Sequence, residues 1–111
     1  MAARFETPEV PTVGTTPQTV LTVGASEQCQ VLAVVGWNRD TATRTLTLKK
    51  TGGAVTPFPL GSATLAAGEV RNVLLAPCVG LDGNGEAITV ESDATAATTE
   101  PCVHAVGFKV P

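Results

Sequence analysis

The sequence predicts an all-β domain: an antiparallel β-sandwich or jelly-roll-like body preceded by an extended N-terminal arm. Three observations carry that prediction. The 111 residues include 17 Thr and 15 Val, whose stiff, branched side chains suit a pleated surface. Apolar and polar residues alternate with a period of two from residue 18 onward. Turn residues recur about every ten positions, the spacing of a sandwich, and no stretch shows helical periodicity capped at both ends.

Residues 1–17, "MAARFETPEVPTVGTTP", hold Pro8, Pro11 and Pro17 and no sustained period. Proline withholds a ladder donor and biases its predecessor toward extended geometry. This segment reads as an extended arm, and residues 18–111 as the body. "QTVLTV" (18–23) is a short strand ended by "GASEQ". "QCQVLAVVGWN" (28–38) places Cys29, Val31, Ala33, Val35 and Trp37 on one face and is apolar on both faces mid-strand, as a central strand is. "RDTA" (39–42) is a loop with Asp40 at a turn-initiating position. "TRTLTLKK" (43–50) alternates cleanly, with Leu46 and Leu48 inward.

"TGGAVTPFPLG" (51–61) reads as turn-rich, with Phe58 held between two prolines as a core lid or an exposed contact. "AAGE" is a tight turn before the strand "EVRNVLLA"; Gly68 and the branched Val70 and Val73 argue against a helix there. "LDGNGEAITVES" (81–92) contains Asp-Gly and Asn-Gly, strong hairpin dipeptides. "DATAATTEP" is a loop, and "CVHAVGFKV" (102–110) a last strand with Cys102, His104, Val106, Phe108 and Val110 on one face. Six or seven strands result. Aromatics are so few that the core is expected to be aliphatic, with Trp37 as its largest anchor and Phe108 beside it.

Charge excludes several functions. Seven basic and ten acidic residues leave a formal charge of −3, and Lys49–Lys50 is the one basic pair. Nucleic acid is therefore not an expected partner, since phosphate binding needs clustered cations. No apolar run reaches the ~20 residues that span a bilayer, and "MAARFETPEV" lacks the apolar core of a signal peptide. The three cysteines, Cys29, Cys78 and Cys102, are expected as reduced thiols of a chain made in the cytoplasm, with a single disulfide formed after release as the next choice. Charged residues make up 15% of the chain, sparse for a free monomer, which suggests a surface covered by a partner.

No pattern of chemistry emerges. His104 is the sole histidine and reads as a hydrogen-bonded strand residue, because no nucleophile motif accompanies it. Cys29, Cys78, Cys102 and His104 add up to a Cys₃His set but lack the C-x₂₋₄-C knuckles of structural zinc sites, so no metal is expected. "DGNGE" resembles a calcium loop until the sixth and twelfth positions, which are Ala87 and Asp93 in place of Gly and Glu. No catalytic residue, enzyme activity or cofactor is expected.

The order "TVLTV", "CQVLAVVGWNRDTATRTLTL", "LAAGEVRNV", "EAITVESDATAA" and "VHAVGFKV" resembles a class of small all-β structural proteins of tailed bacteriophages, over residues 18–110. The resemblance implies a virion component assembled in the host cytoplasm, first a capsid decoration (cement) protein. A head–tail or tail accessory protein is the alternative within that class. It implies the major capsid protein or other virion subunits as partners and, by analogy, homo-trimers. An arm of this length reaches ~55–60 Å when extended, enough to touch a neighbour. Its apolar Phe5, Val10 and Val13 are the expected partner-binding anchors. A receptor- or glycan-binding sandwich is the rival from another class, with Phe58 as the one exposed aromatic candidate.

Overall fold

The computed structural model describes residues 3–24, 26–52, 55–75, 79–83 and 85–110. Every regular element among them is a strand: β1 Ala3–Glu6, β2 Gln18–Thr22, β3 Gln28–Trp37, β4 Arg44–Gly52, β5 Val55–Leu65, β6 Val70–Asn72, β7 Val79–Asp82, β8 Ala87–Ser92 and β9 Cys102–Val110. Two antiparallel sheets form. One runs β1-β9-β3-β6, with β7 pairing β3 beyond the end of β6; the other runs β2-β8-β4-β5. Most successive strands cross from one sheet to the other, β4–β5 and β6–β7 excepted, and the resulting strand order is that of a jelly roll.

One sequence-local expectation changes for that reason. The Asp-Gly/Asn-Gly segment turns the chain but makes no hairpin, because β7 pairs β3 while β8 pairs β2 and β4 in the opposite sheet. Likewise β3 and β4, consecutive and joined by a short loop, lie in different sheets. The true hairpin is β4–β5, paired from Arg44↔Leu65 to Gly52↔Val55. There a strand replaces the expected turn-rich region. Pro57 and Pro59 fit because β5 is an edge strand, where a missing N–H costs no ladder bond. The "AAGE" turn is present, closed by Glu69 N–H donating to Ala66 O at 3.0 Å.

The core between the sheets is aliphatic: Val31, Val34, Leu46, Leu48, Leu65, Val73, Leu81, Ile88, Val90 and Val103 are essentially inaccessible. Each such side chain contributes roughly 1.5–3 kcal/mol by leaving water. The sheets approach closely at Gly36, where a side chain would meet Val73 and Leu46 at 3.0 and 3.1 Å.

Trp37 is not the core anchor. It is 45% exposed, and Phe108 is 39% exposed. For Trp37 the cause is a register shift in the β3–β9 ladder between Val31 and Ala33, whereas Phe108 faces out by the plain alternation of β9. A bulge adds one residue to the alternation. Cys29 and Val31 point inward before it, and Val34 and Gly36 after it, so Leu32, Ala33, Val35 and Trp37 emerge on the outer face. In β9 the inward residues are Val103, Ala105 and Gly107, and His104, Val106 and Phe108 face out.

The arm segment lies along the body. β1 pairs β9 from Ala3↔Lys109 to Glu6↔Val106, and Val10 bridges Val103. Its prolines sit at a sheet edge, as those of β5 do.

Candidate assembly surfaces

The arm is seated on β9 by specific contacts. Thr7 N–H donates to Ala105 O at 2.9 Å, Val10 N–H to Val103 O at 2.8 Å, and Val13 N–H to Pro101 O at 2.8 Å. Thr7 Oγ1 accepts from Ala105 N–H at 2.8 Å. Phe5 packs across Gly107, where a Cβ would stand 3.0 Å from the ring tip and would collide with Gln30 O. The Lys109 ammonium lies 5.9 Å from the Phe5 ring centre. Phe5 and Val10 pack half-buried against the core and Val13 belongs to it. All three expected arm anchors are thus turned toward their own chain.

A polar knot closes one end of the sandwich. Asn38 is fully buried; its amide donates to Leu65 O at 3.0 Å, Ala66 O at 3.2 Å and Ala42 O at 2.9 Å, and its oxygen accepts from Asp40 N–H at 3.0 Å. The Asp40 carboxylate accepts from Ala97 N–H and Thr98 N–H, both at 2.9 Å, and from Thr98 Oγ1 at 3.1 Å and Thr41 N–H at 2.9 Å. Arg44 Nε adds a 2.8 Å ion pair. The Ala97 amide first, then those of Thr98 and Thr41, hold the Asp40 carboxyl well below the usual carboxylate range. Arg39 completes the knot by donating to Pro11 O and to Glu100 O, with its guanidinium 5.7 Å from the centre of the Trp37 ring. One three-residue loop thereby ties β3, the 94–100 loop and the arm together. Only Asp40 of the three was singled out in the sequence, as a turn former. An "NRD" immediately after a long apolar strand was the available signal.

The two outer faces differ. On the β2-β8-β4-β5 sheet, hydroxyls and charges pair across strands: Thr45 with Thr64 at 2.9 Å, Thr47 with Ser62 at 2.8 Å and Lys49 with Glu91 at 3.0 Å. On the other sheet the outer face is largely apolar around β3 and β9, with Gln30, His104, Arg4 and Glu6 among its outward side chains. Trp37 stands opposite Val70 (60% exposed), Ala33 opposite Val106, and the bulged Leu32 (40% exposed) beside them. Phe58, at 58% exposure, faces solvent on β5 and is not a core lid.

Chemistry-bearing residues do not converge. His104 Nε2 lies 3.4 Å from Glu6 Oε1 across the β1–β9 pair, a partner within the sheet. Cys29 pairs with Lys109 and Cys102 with Trp37 at opposite ends of the β3–β9 ladder. That separation is about 25 Å at ~3.3 Å per residue, so these two can share neither a disulfide nor an ion. Both are buried free thiols. Burial, and then the hydrogen bond to Glu9, push the Cys102 thiol up to about 11; burial also raises Cys29. Cys78 lies outside the described residues. Among the described residues no group of three or more His, Cys, Asp or Glu is placed to hold a metal, and no helix is long and apolar enough to cross a membrane.

No family model matches the chain, and no curated protein matches it in sequence. A solved structure from the disulfide-linked pili that form Bacillus endospore appendages is similar in fold. It aligns over 97% of this chain and 86% of its own with a TM-score of 0.54, at 12% identity. At that identity the likeness establishes a shared fold and nothing finer.

Proposed function

We propose that the chain is a non-enzymatic structural subunit that works inside a multi-subunit assembly, and within that class a building block of a surface appendage or fibre. The observation that supports this reading is the end-to-end match of its jelly roll to an appendage protein. The contrast between one hydroxyl-lined and one apolar outer face fits it physically. A solitary soluble domain seldom exposes a contiguous apolar sheet face unless something docks there.

The appendage protein's pili are disulfide-linked. Cys29 and Cys102 are too buried, and their thiolates too disfavoured, to form such links in the folded subunit. Cohesion through these two positions would be noncovalent.

A second reading, favoured by the sequence resemblance over residues 18–110, is a virion component, first a capsid decoration protein binding shell subunits. Electron microscopy decides between the two. The full-length chain is concentrated and imaged alone, then mixed with purified capsids and pelleted. Filaments from the chain alone support the appendage reading, and co-sedimentation with capsids without filaments supports decoration. Sugar-competed binding to cells by a strictly monomeric chain would overturn both in favour of a glycan-binding module.

A further inference from the structure

The outer face of the β1-β9-β3-β6 sheet has no work in the fold itself, yet among the described residues it carries four of the six large apolar side chains that are exposed: Leu32, Trp37, Val70 and Phe108. Half-buried Ala33, Val35, Val106 and His104, the last directly opposite Val35, fill the space between them. Cross-strand pairing makes the surface continuous. Val70 stands opposite Trp37, Ala33 opposite Val106, and Phe108 lies between Gln30 and Arg4. The bulge in β3 builds this face, since without it Leu32 and Trp37 could not share a side of the strand.

We infer that this face is a docking surface for a second copy of the same chain, packed sheet against sheet across a two-fold axis. Size permits it. The molecule measures 42 × 26 × 21 Å, and its thinnest dimension is that of two stacked sheets with their side chains. The rectangle enclosing the broad side measures about 1,100 Å², of the same order as the ~800 Å² per partner of a standard interface.

Charge selects the partner. Nucleic acid or an anionic membrane would need an excess of cations on the face. Here the outward charges on β1 are one of each sign, Arg4 and Glu6, two positions apart, with Glu6 also 3.4 Å from the outward-facing His104, in a chain of net charge −3. A two-fold contact is self-complementary, so Arg4 of one copy can lie beside Glu6 of the partner subunit and the reverse. At the opposite margin Arg39 is held by Pro11 O and Glu100 O with its guanidinium 5.7 Å from the Trp37 ring centre, so the margin presents a Trp–Arg pair, the two side-chain types enriched among residues that dominate interface energy. The inference rests on the structural reading above and names the contact it would use.

The test exploits the sole tryptophan. Sedimentation velocity of the full chain over a dilution series is expected to show a dimer that dissociates. Trp37 emission should shift to the red in step, as the ring becomes hydrated. Trp37→Glu and Val70→Lys should each weaken association at least tenfold while circular dichroism and melting temperature hold, because both positions are exposed. Val70→Lys keeps the fluorophore and should lock its emission at the diluted value. Thr47→Arg, on the hydroxyl face, should change nothing.

A chain that stays monomeric at every concentration, association that survives both substitutions, or equal disruption by Thr47→Arg would overturn the inference. So would a blue shift on phosphatidylcholine vesicles from a chain that does not self-associate. Filaments that persist in both variants would remove this face while leaving the structural reading intact. A chain that forms no filament and joins no capsid would remove the reading itself.

Discussion

Asn38 shows how much can rest on one side chain. Its amide satisfies carbonyls of three residues in two segments, and its oxygen fixes the next turn. Asn38→Ala would take this donor from the buried Leu65 carbonyl and the part-buried Ala42 carbonyl, while Ala66 O keeps the Glu69 N–H. The expected cost is about 1–3 kcal/mol, read as a lower urea midpoint at unchanged slope. Asp40, two residues on, sets a pH dependence. Its carboxyl titrates lower in the folded chain than the ~3.9 of an unfolded aspartate. Its stabilisation is thus complete above about pH 4 and fades as pH falls below that, because the unfolded chain takes up the proton first. Asp40→Asn should melt at a lower temperature at pH 7. The difference from the parent should narrow as melts are taken down toward pH 2.5. A gap of constant size across that range would show that the charge is not what holds the knot.

Among the elements, β1 is the one whose attachment invites direct measurement. It touches the body through the β9 edge, and its side chains are mostly exposed. Removing residues 1–12 would leave the Ala105 and Val103 amides without Thr7 Oγ1 and Val10 O and would bare a sheet edge, which promotes edge-to-edge association. The shortened chain should melt lower and elute as larger species by size-exclusion chromatography. A peptide spanning residues 3–12 should restore both properties by β-augmentation. If truncation leaves stability and size unchanged, the arm is not part of the fold's working edge. Elements were legible to the extent that their signals are local. The alternation in 43–50 marks β4, and 102–110 marks β9 to the residue. β5 was hidden because its prolines read as breakers until an edge position makes them harmless. The faces of β3 inverted past one bulge that leaves no mark in the letters.

For the whole molecule, stability resides between the layers, where side chains of both sheets interdigitate. Leu46→Ala removes a fully buried side chain from the contact between β4 and Gly36 of the other sheet. A loss of about 2–5 kcal/mol is expected from chemical unfolding. Probes of both sheets should report one shared transition, since a single core serves both. The candidate site was less legible than the fold. The sequence supplied the idea of a covered surface from sparse charge and, separately, offered apolar arm residues as partner-binding anchors. Phe5, Val10 and Val13 turn toward their own chain, while Trp37 and Phe108, assigned to the core, form the open apolar face.

By itself the sequence determined the class of structure: strands, their number to within a few, and an aliphatic core. These follow from side-chain branching, two-residue periodicity and turn chemistry, all of which act over a few neighbouring residues. The tertiary structure alone decided which strands pair and which faces meet water. Ladder partners such as Val10 and Val103, or Trp37 and Val70, lie far apart along the chain, and one inserted residue in a strand reverses inside and outside for everything after it.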